Sequence, residues 1–260
     1  MLPSAPEATA AEERPNTPWA AKEHPQPFSR VGIGADISPL GFGLKSATIL
    51  SQYFDARLMG NFFNYNTGPF ELEGFRVNAD FHLASAAASL DWYPLDSIWR
   101  LSVGTLFLND NKISARSNIL SGTSFSLNGQ TFYSAVPNAA TGATPMTGSG
   151  VVGFHARRPA LTLAGGFGKF VPRSTRHWSF PSEFGVALTG APTVDVKLAG
   201  WVCLDEAETQ CSNLGNTVDP VTVQFNDALQ TSLTKWRKGL SAVQVYPLFS
   251  YSVVYSFNVR

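Results

Sequence analysis

From Val31 onward the chain falls into short runs of alternating apolar and polar residues, the period-two pattern of half-buried β-strands. The last run is the cleanest. Phe249, Tyr251, Val253, Tyr255 and Phe257 share one face, and Ser250, Ser252, Val254, Ser256 and Asn258 share the other. Phe75, Val77, Ala79, Phe81 and Leu83 alternate with Arg76, Asn78, Asp80 and His82. Trp99, Leu101, Val103, Thr105 and Phe107 alternate with Arg100, Ser102, Gly104, Leu106 and Leu108. Val194, Val196 and Leu198 stand opposite Asp195, Lys197 and Ala199, and Phe54, Ala56, Leu58, Gly60 and Phe62 stand opposite Asp55, Arg57, Met59 and Asn61. The pattern predicts strands over 30–38, 41–50, 53–65, 74–92, 98–110, 150–156, 159–168, 179–189, 193–202 and 247–258. The phase changes at Ser38-Pro39, so the first two are either one bulged strand or two separate ones. Residues 111–156 are rich in Ser, Thr, Asn and Gly, and there Ile113, Phe125, Leu127 and Phe132 mark either further strands or a folded loop.

One stretch has a different period. Phe225, Leu229, Leu233, Trp236 and Leu240 recur at helical spacing, with Asp227 near the start and Lys235, Arg237 and Lys238 near the end, as the helix dipole favours. Gly239 suits a stop. This predicts a short amphipathic helix before the last strand, either covering the rim of a barrel, as ordinary amphipathicity favours, or folding into its lumen. Residues 1–28, rich in Pro, Ala and Glu without periodicity, read as a disordered leader to a β-barrel domain over 29–260.

Composition narrows the class. Only 15% of residues are charged and 12% are aromatic, which suits a β-rich protein with much non-aqueous surface. The 19 basic and 19 acidic residues cancel, and no basic stripe suits nucleic acid. No apolar run reaches the roughly 18 residues of a membrane helix. If the chain spans a membrane, only a closed barrel satisfies its backbone hydrogen bonds there.

The runs of about nine residues match the ~9–11 that a tilted strand needs to cross a bilayer. Aromatics collect at run ends: Trp92, Tyr93 and Trp99 around one turn, Phe62, Phe63 and Tyr65 at one strand end, Trp178 and Phe180 at another, and Tyr246 near the last. Connections are tight at 94–98 and 190–193 and long at 111–150 and 203–246. The expected architecture is therefore an all-β, antiparallel, up-and-down transmembrane barrel of 8–12 strands with long outer loops. In it Phe249, Tyr251, Val253, Tyr255 and Phe257 face lipid, and Asp55, Arg57, Arg76, Asp80, His82, Arg100, Asp195 and Lys197 face the interior. Alternation alone does not separate this from a soluble barrel with its apolar faces inward.

Cys203 and Cys211 lie eight positions apart in a polar stretch, and a disulfide there fits an oxidising compartment. No metal-ligand spacing accompanies them.

Three segments resemble OmpA-like outer-membrane barrels, and more narrowly the exported barrels of Gram-negative bacteria. They are Leu90-Asp91-Trp92-Tyr93-Pro94 with Trp99-Arg100-Leu101-Ser102-Val103-Gly104, the run from Pro159 to Gly168, and Tyr246-Pro247-Leu248-Phe249-Ser250 leading to Tyr255-Ser256-Phe257. The resemblance runs through most of residues 30–260. It implies an outer-membrane location, contact with outer-membrane lipid, and insertion by the barrel-assembly machinery through the closing strand. Such barrels end on the aromatic and carry a signal peptide. Here Asn258-Val259-Arg260 follow Phe257, and residues 1–28 hold no apolar signal region.

No GxSxG, HExxH, Walker or dinucleotide motif occurs, so no catalytic residue, cofactor or metal is expected. The glycines of Ala164-Gly165-Gly166-Phe167-Gly168 are read as close packing in a strand. His82 beside Asp80 is the one pair suited to proton movement. The leading functional expectation is a structural or surface-interaction barrel presenting its long loops. The alternatives are a narrow small-solute channel lined by the charged faces, which needs roughly 10–12 strands, and a soluble lipocalin-like barrel.

Overall fold

A computed structural model describes residues 25–72, 75–242 and 244–259. The first 24 residues of the expected leader lie outside the described residues. The chain forms β1 (Arg30–Ser38), β2 (Gly41–Ile49), β3 (Phe54–Leu72), β4 (Phe75–Trp92), β5 (Trp99–Asn109), β6 (Lys112–Ile119), β7 (Ser124–Leu127), β8 (Gln130–Ser134), β9 (Thr147–Gly153) and β10 (Ala160–Phe167). It continues with β11 (Trp178–Ser179), β12 (Ser182–Leu188), β13 (Thr193–Ala199), β14 (Trp201–Cys203), β15 (Cys211–Asn213), helix α1 (Pro220–Leu240) and β16 (Tyr246–Asn258).

Eight of these close a ring. β1 pairs with β2, β2 with β3, β3 with β4, β4 with β5, β5 with β10, β10 with β12, β12 with β16, and β16 back onto β1, all antiparallel. Closure leaves no strand edge in the ring, as spanning hydrocarbon requires. The chain enters and leaves at one end, the near end, with the turns 50–53 and 93–98 and the loop 168–181. The other, far end carries the β1–β2 and β3–β4 hairpins and the long excursions 110–159 and 189–245. Ser38-Pro39 is thus the entry to a tight hairpin in which Ser38 pairs with Gly41, and β1 and β2 are separate strands.

The far end is more structured than the sequence pattern suggests. The β3–β4 hairpin continues beyond the ring, past a register shift between Asn66 and Pro69. Its upper half of β4 takes β6 as partner where the lower half takes β5. β9 and β13 extend this sheet outward. The tight turn at 190–193 therefore leads from ring strand β12 into the outer sheet, not back across the barrel. Gly200, at φ +107°, ends β13 and separates it from β14, which splits the strand expected over 193–202.

A second sheet, in the order β15-β14-β8-β7, lies beyond the first, and α1 packs with both. Ile119, Phe132, Met146, Val194, Val202, Phe225, Ala228, Leu229 and Leu233 form one buried cluster there. Phe132 meets Phe225 edge-on at 5.2 Å. The helix starts earlier than its apolar period shows. Asp219 caps it, accepting from the Val221 N–H at 2.9 Å, and Pro220 occupies the first turn, where a missing N–H costs nothing. Gly239 lies inside the helix, and Trp236 is half-exposed instead of buried.

Candidate functional site

Period-two alternation sends one face of every ring strand outward. On β16, Phe249, Tyr251, Val253, Tyr255 and Phe257 all point out, with exposures from 39% at Phe257 to 57% at Tyr251. Ser250, Ser252, Val254 and Ser256 between them are buried. Phe42, Leu44, Leu58, Phe62, Leu90, Leu101, Leu161 and Phe184 extend the outer face around the ring. Trp92, Trp99 and Trp178 stand near its near end, where Trp99 contacts Phe167 at 4.2 Å and Trp178 contacts Tyr255 at 5.0 Å.

The inner face is charged and buried. Arg57 on β3 places Nη2 at 2.6 Å from Glu183 Oε2 of β12 and 3.0 Å from Asp91 Oδ1 of β4. Arg100 on β5 reaches the same Glu183 oxygen at 3.1 Å and donates to the Gly168 carbonyl at 2.9 Å. Lys45 on β2 lies 3.4 Å from Asp36 of β1 and donates to the Ser250 hydroxyl at 2.7 Å and the Ser252 hydroxyl at 3.2 Å. Two glycines make the room. A Cβ on Gly43 would collide with Asp36 Oδ1 and Asn61 Oδ1, and one on Gly166 would stand 2.7 Å from Arg100 Nη2. The expected close packing at the glycine-rich run of β10 thus has a partner, the Arg100 guanidinium.

A segment of the near-end loop folds into this interior. Phe170 is buried, with the Arg57 guanidinium 4.4 Å and the Arg100 guanidinium 4.3 Å from its ring centroid. Its amide donates to the Tyr93 hydroxyl at 3.2 Å. Phe170 and Val171 pack with Ala47, Ile49 and Val254. Arg173 closes the mouth with a two-pronged pair to Asp55, at 2.7 and 3.0 Å, and stacks over Tyr93 at 4.9 Å. Arg30 donates to the carbonyls of Pro172, Ser174 and Arg176 and holds the loop from the other side. On the far side of the network a cavity of about 30 Å³ remains among Asp36, Lys45, Asn61, Thr162, Glu183 and Ser250. That is room for a water molecule.

Of the side chains expected to face the interior, the ring brings together Asp55, Arg57 and Arg100. It does not bring the other five. Arg76, Asp80 and His82 sit on the upper half of β4, paired with β6 in the outer sheet. Asp195 and Lys197 are exposed on β13, whose Val194 instead joins the outer buried cluster. These five expectations fail for two reasons: the inward face of β4 is the odd-numbered one, through Ser85, Ala87 and Asp91, so Arg76, Asp80 and His82 lie on its other face, and β13 stands outside the ring. The His82–Asp80 pair is also replaced. His82 Nε2 lies 3.3 Å from Asp110 and Nδ1 lies 2.7 Å from Asn64 Oδ1, while Asp80 contacts Asn66.

Sequence reasoning missed Asp36, Lys45, Asp91, Glu183, Arg173 and Phe170. The first four are charges on the inward face of ring strands, Lys45 and Glu183 each being the one charge of its strand, a signal present but not weighed. Phe170 and Arg173 lie in a loop, where no periodicity exists to mark them.

Among known structures, the CarO protein of Acinetobacter baumannii matches with a TM-score of 0.53 over 89% of this chain and 98% of its own, at 17% identity. CarO2 of the same organism matches at 0.50 over 90% of this chain and 100% of its own, again at 17% identity. The fold is CarO-like. No protein-family model matches the sequence, and no curated protein matches it either. At this identity the likeness to CarO carries the fold and no residue roles.

The outer part of this CarO-like fold is stapled. Cys203 and Cys211 form a disulfide between β14 and β15. Within its loop the Asp205 carboxyl accepts from the Thr209 hydroxyl at 2.6 Å, the Gln210 amide at 2.9 Å and the Thr209 amide at 3.0 Å. Those donors, the Thr209 hydroxyl foremost, hold Asp205 below the usual carboxylate range.

Proposed function

We propose that this chain is an outer-membrane β-barrel with a closed interior, acting as a rigid scaffold that presents the folded far-end sheets for surface interaction. The observation that carries the reading is the packed interior, with Phe170 wedged between Arg57 and Arg100 over a shared Glu183. An eight-stranded ring has an interior that side chains fill, without a channel. Here charged side chains fill it, each near an opposite charge or a backbone carbonyl. The membrane part of the reading is supported by the continuous outward apolar face and by the fold shared with CarO, an outer-membrane β-barrel protein. A lipocalin-like barrel would line its interior with apolar side chains, the reverse of this distribution. The far end would face outward, since long loops lie on the outer side of such barrels. Outer-membrane lipid and the barrel-assembly machinery are the partners this reading names, with β16 as the closing strand offered for insertion. The role is structural, with the interior carboxylates engaged by arginine and lysine.

Planar-bilayer recording of the reconstituted full chain tests the closed interior. No reproducible single-channel step is expected, and stable steps would favour the small-solute channel instead. Detergent dependence tests the membrane assignment: the chain should aggregate when detergent is withdrawn. A monodisperse, detergent-free monomer would overturn it.

A further inference from the structure

Where the outer sheets meet the ring, basic side chains gather. The turn from β9 to β10 carries His155, Arg157 and Arg158, all exposed. Phe154 at its start packs edge-on against Tyr246 at 6.0 Å, which sets the turn beside the first residue of β16. The Gly190 N–H donates to the Gln244 carbonyl at 3.2 Å, so the end of β12 comes to the same part of the rim. The last turn of α1 descends there too. Arg237 donates to the Val194 carbonyl at 3.1 Å, Lys238 is exposed beside it, and only residues 241–245 separate the helix from β16.

Among the described residues Arg157, Arg158, Arg237 and Lys238 take part in no salt bridge. Asp195, the nearest carboxylate in sequence to the Arg237 contact, alternates to the opposite face of β13 from Val194. The exposed Asp205, Glu206 and Glu208 lie in the disulfide loop, and Asp219 caps the other end of α1, about 30 Å away along the helix axis. Asp110 comes to the same rim, where the Asn109 N–H donates to the Ala156 carbonyl at 3.0 Å, but its carboxylate is engaged by Lys112 at 3.2 Å and His82 at 3.3 Å. Directly below the cations the outward face of the ring is apolar, with Leu161, Leu163, Phe184, Leu188 and Phe249 exposed. Trp236, half-exposed on the same helical turn, is the amphipathic side chain that membrane interfaces collect.

We propose that Arg157, Arg158, Arg237 and Lys238 form a basic collar that binds the phosphates of anionic lipid headgroups in the leaflet facing the far end. The inference rests on the membrane reading above, because it needs the apolar face to end in a headgroup layer at this rim. Guanidinium groups offer forked donors that match phosphate oxygens, and their stems can lie along the apolar wall while the charge stays in the headgroup region. A neighbouring tryptophan fits the same depth.

The test uses the full chain folded in zwitterionic-detergent micelles. It is titrated with lipid A, with dephosphorylated lipid A and with inorganic pyrophosphate, and binding is read by native mass spectrometry. Lipid A should bind at least about tenfold more tightly than its dephosphorylated form, and R157Q/R158Q and R237Q/K238Q should each weaken it by about tenfold or more. K197Q, an exposed cation on the outer sheet, should leave binding unchanged. Because Arg237 also holds a backbone carbonyl, the R157Q/R158Q pair on its turn is the cleaner variant. Equal binding of the two lipid forms, or an unaffected R157Q/R158Q variant, would refute the collar. Pyrophosphate binding as tight as lipid A would make it a site for soluble phosphates and overturn the lipid assignment. Circular dichroism separates the two levels: loss of β-structure in micelles refutes the membrane reading, whereas a folded barrel indifferent to phosphate refutes the collar alone.

Discussion

Glu183 shows what a buried charge does in this barrel. It is the shared acceptor of Arg57 and Arg100, at 2.6 and 3.1 Å, and all three side chains are almost wholly out of water. Such a network adds little to stability over a well-packed apolar core, but removing one partner strands the others. Glu183→Gln keeps the shape and removes the charge, leaving two guanidinium groups with Asp91 as their remaining nearby carboxylate. It should destabilise the folded barrel by about 3–5 kcal/mol. Urea unfolding in micelles, followed by tryptophan fluorescence, would read this as a lowered midpoint; a midpoint within error of the parent would show the network to be solvated. Phe170→Ala should lose a similar ~3–5 kcal/mol by opening a void where two cations lose their ring contact. At this scale the sequence was half legible. Asp55, Arg57 and Arg100 announce themselves as charges alternating with a greasy stripe. Glu183, the one charge on β12, does so only once its two arginines are known to point at it.

The elements of the ring were legible for a physical reason that also explains what was not. A strand with one face on a crowded interior and the other turned outward must alternate, so β1–β5, β10, β12 and β16 each coincide with an expected run, β3 going on to Leu72, past the expected end at 65. The strands of the outer sheets have no such constraint. β6 reads Lys-Ile-Ser-Ala-Arg-Ser-Asn-Ile, and its partner β9 is built on three glycines, because each covers only a thin core. Their pairing is set by the β3–β4 hairpin they extend, a long-range fact that local pattern does not hold. The outer part has its own buried cluster and its own staple, so it should respond separately from the ring. Replacing Cys203 and Cys211 by serine frees a loop whose closure is worth about 2–3 kcal/mol in the chain-entropy account. Limited proteolysis should then cut within 203–218 at much lower protease concentration, while a heat-resistant ring fragment and its β-sheet circular dichroism persist. Collapse of the ring on loss of the disulfide would show that the two parts fold as one unit.

At the scale of the molecule the reading depends on what surrounds the ring, and the outward face of β16 offers a graded measurement of it. Phe249, Tyr251, Val253, Tyr255 and Phe257 climb that face two residues at a time, each with a third or more of its surface open. A strand rises about 3.3 Å per residue, so the five positions sample some 26 Å along the strand, and less along the normal once the strand tilts. That is close to the height of the apolar band of such barrels, ~25 Å. Arginine placed at the hydrocarbon midplane costs about 2–4 kcal/mol and near an interface about 0–1 kcal/mol. Separate arginine substitutions at the five positions, in the chain refolded into phospholipid vesicles, should therefore trace a peak: largest at Val253 and its neighbours, falling towards Phe249 and Phe257. Water outside the ring would give a different curve, because an exposed arginine costs little at any height and the lost aromatic packing would be uneven. The shape of the profile, more than any single value, decides between the two environments. A flat profile near zero would leave the closed ring and its charged interior standing and remove the membrane from around them.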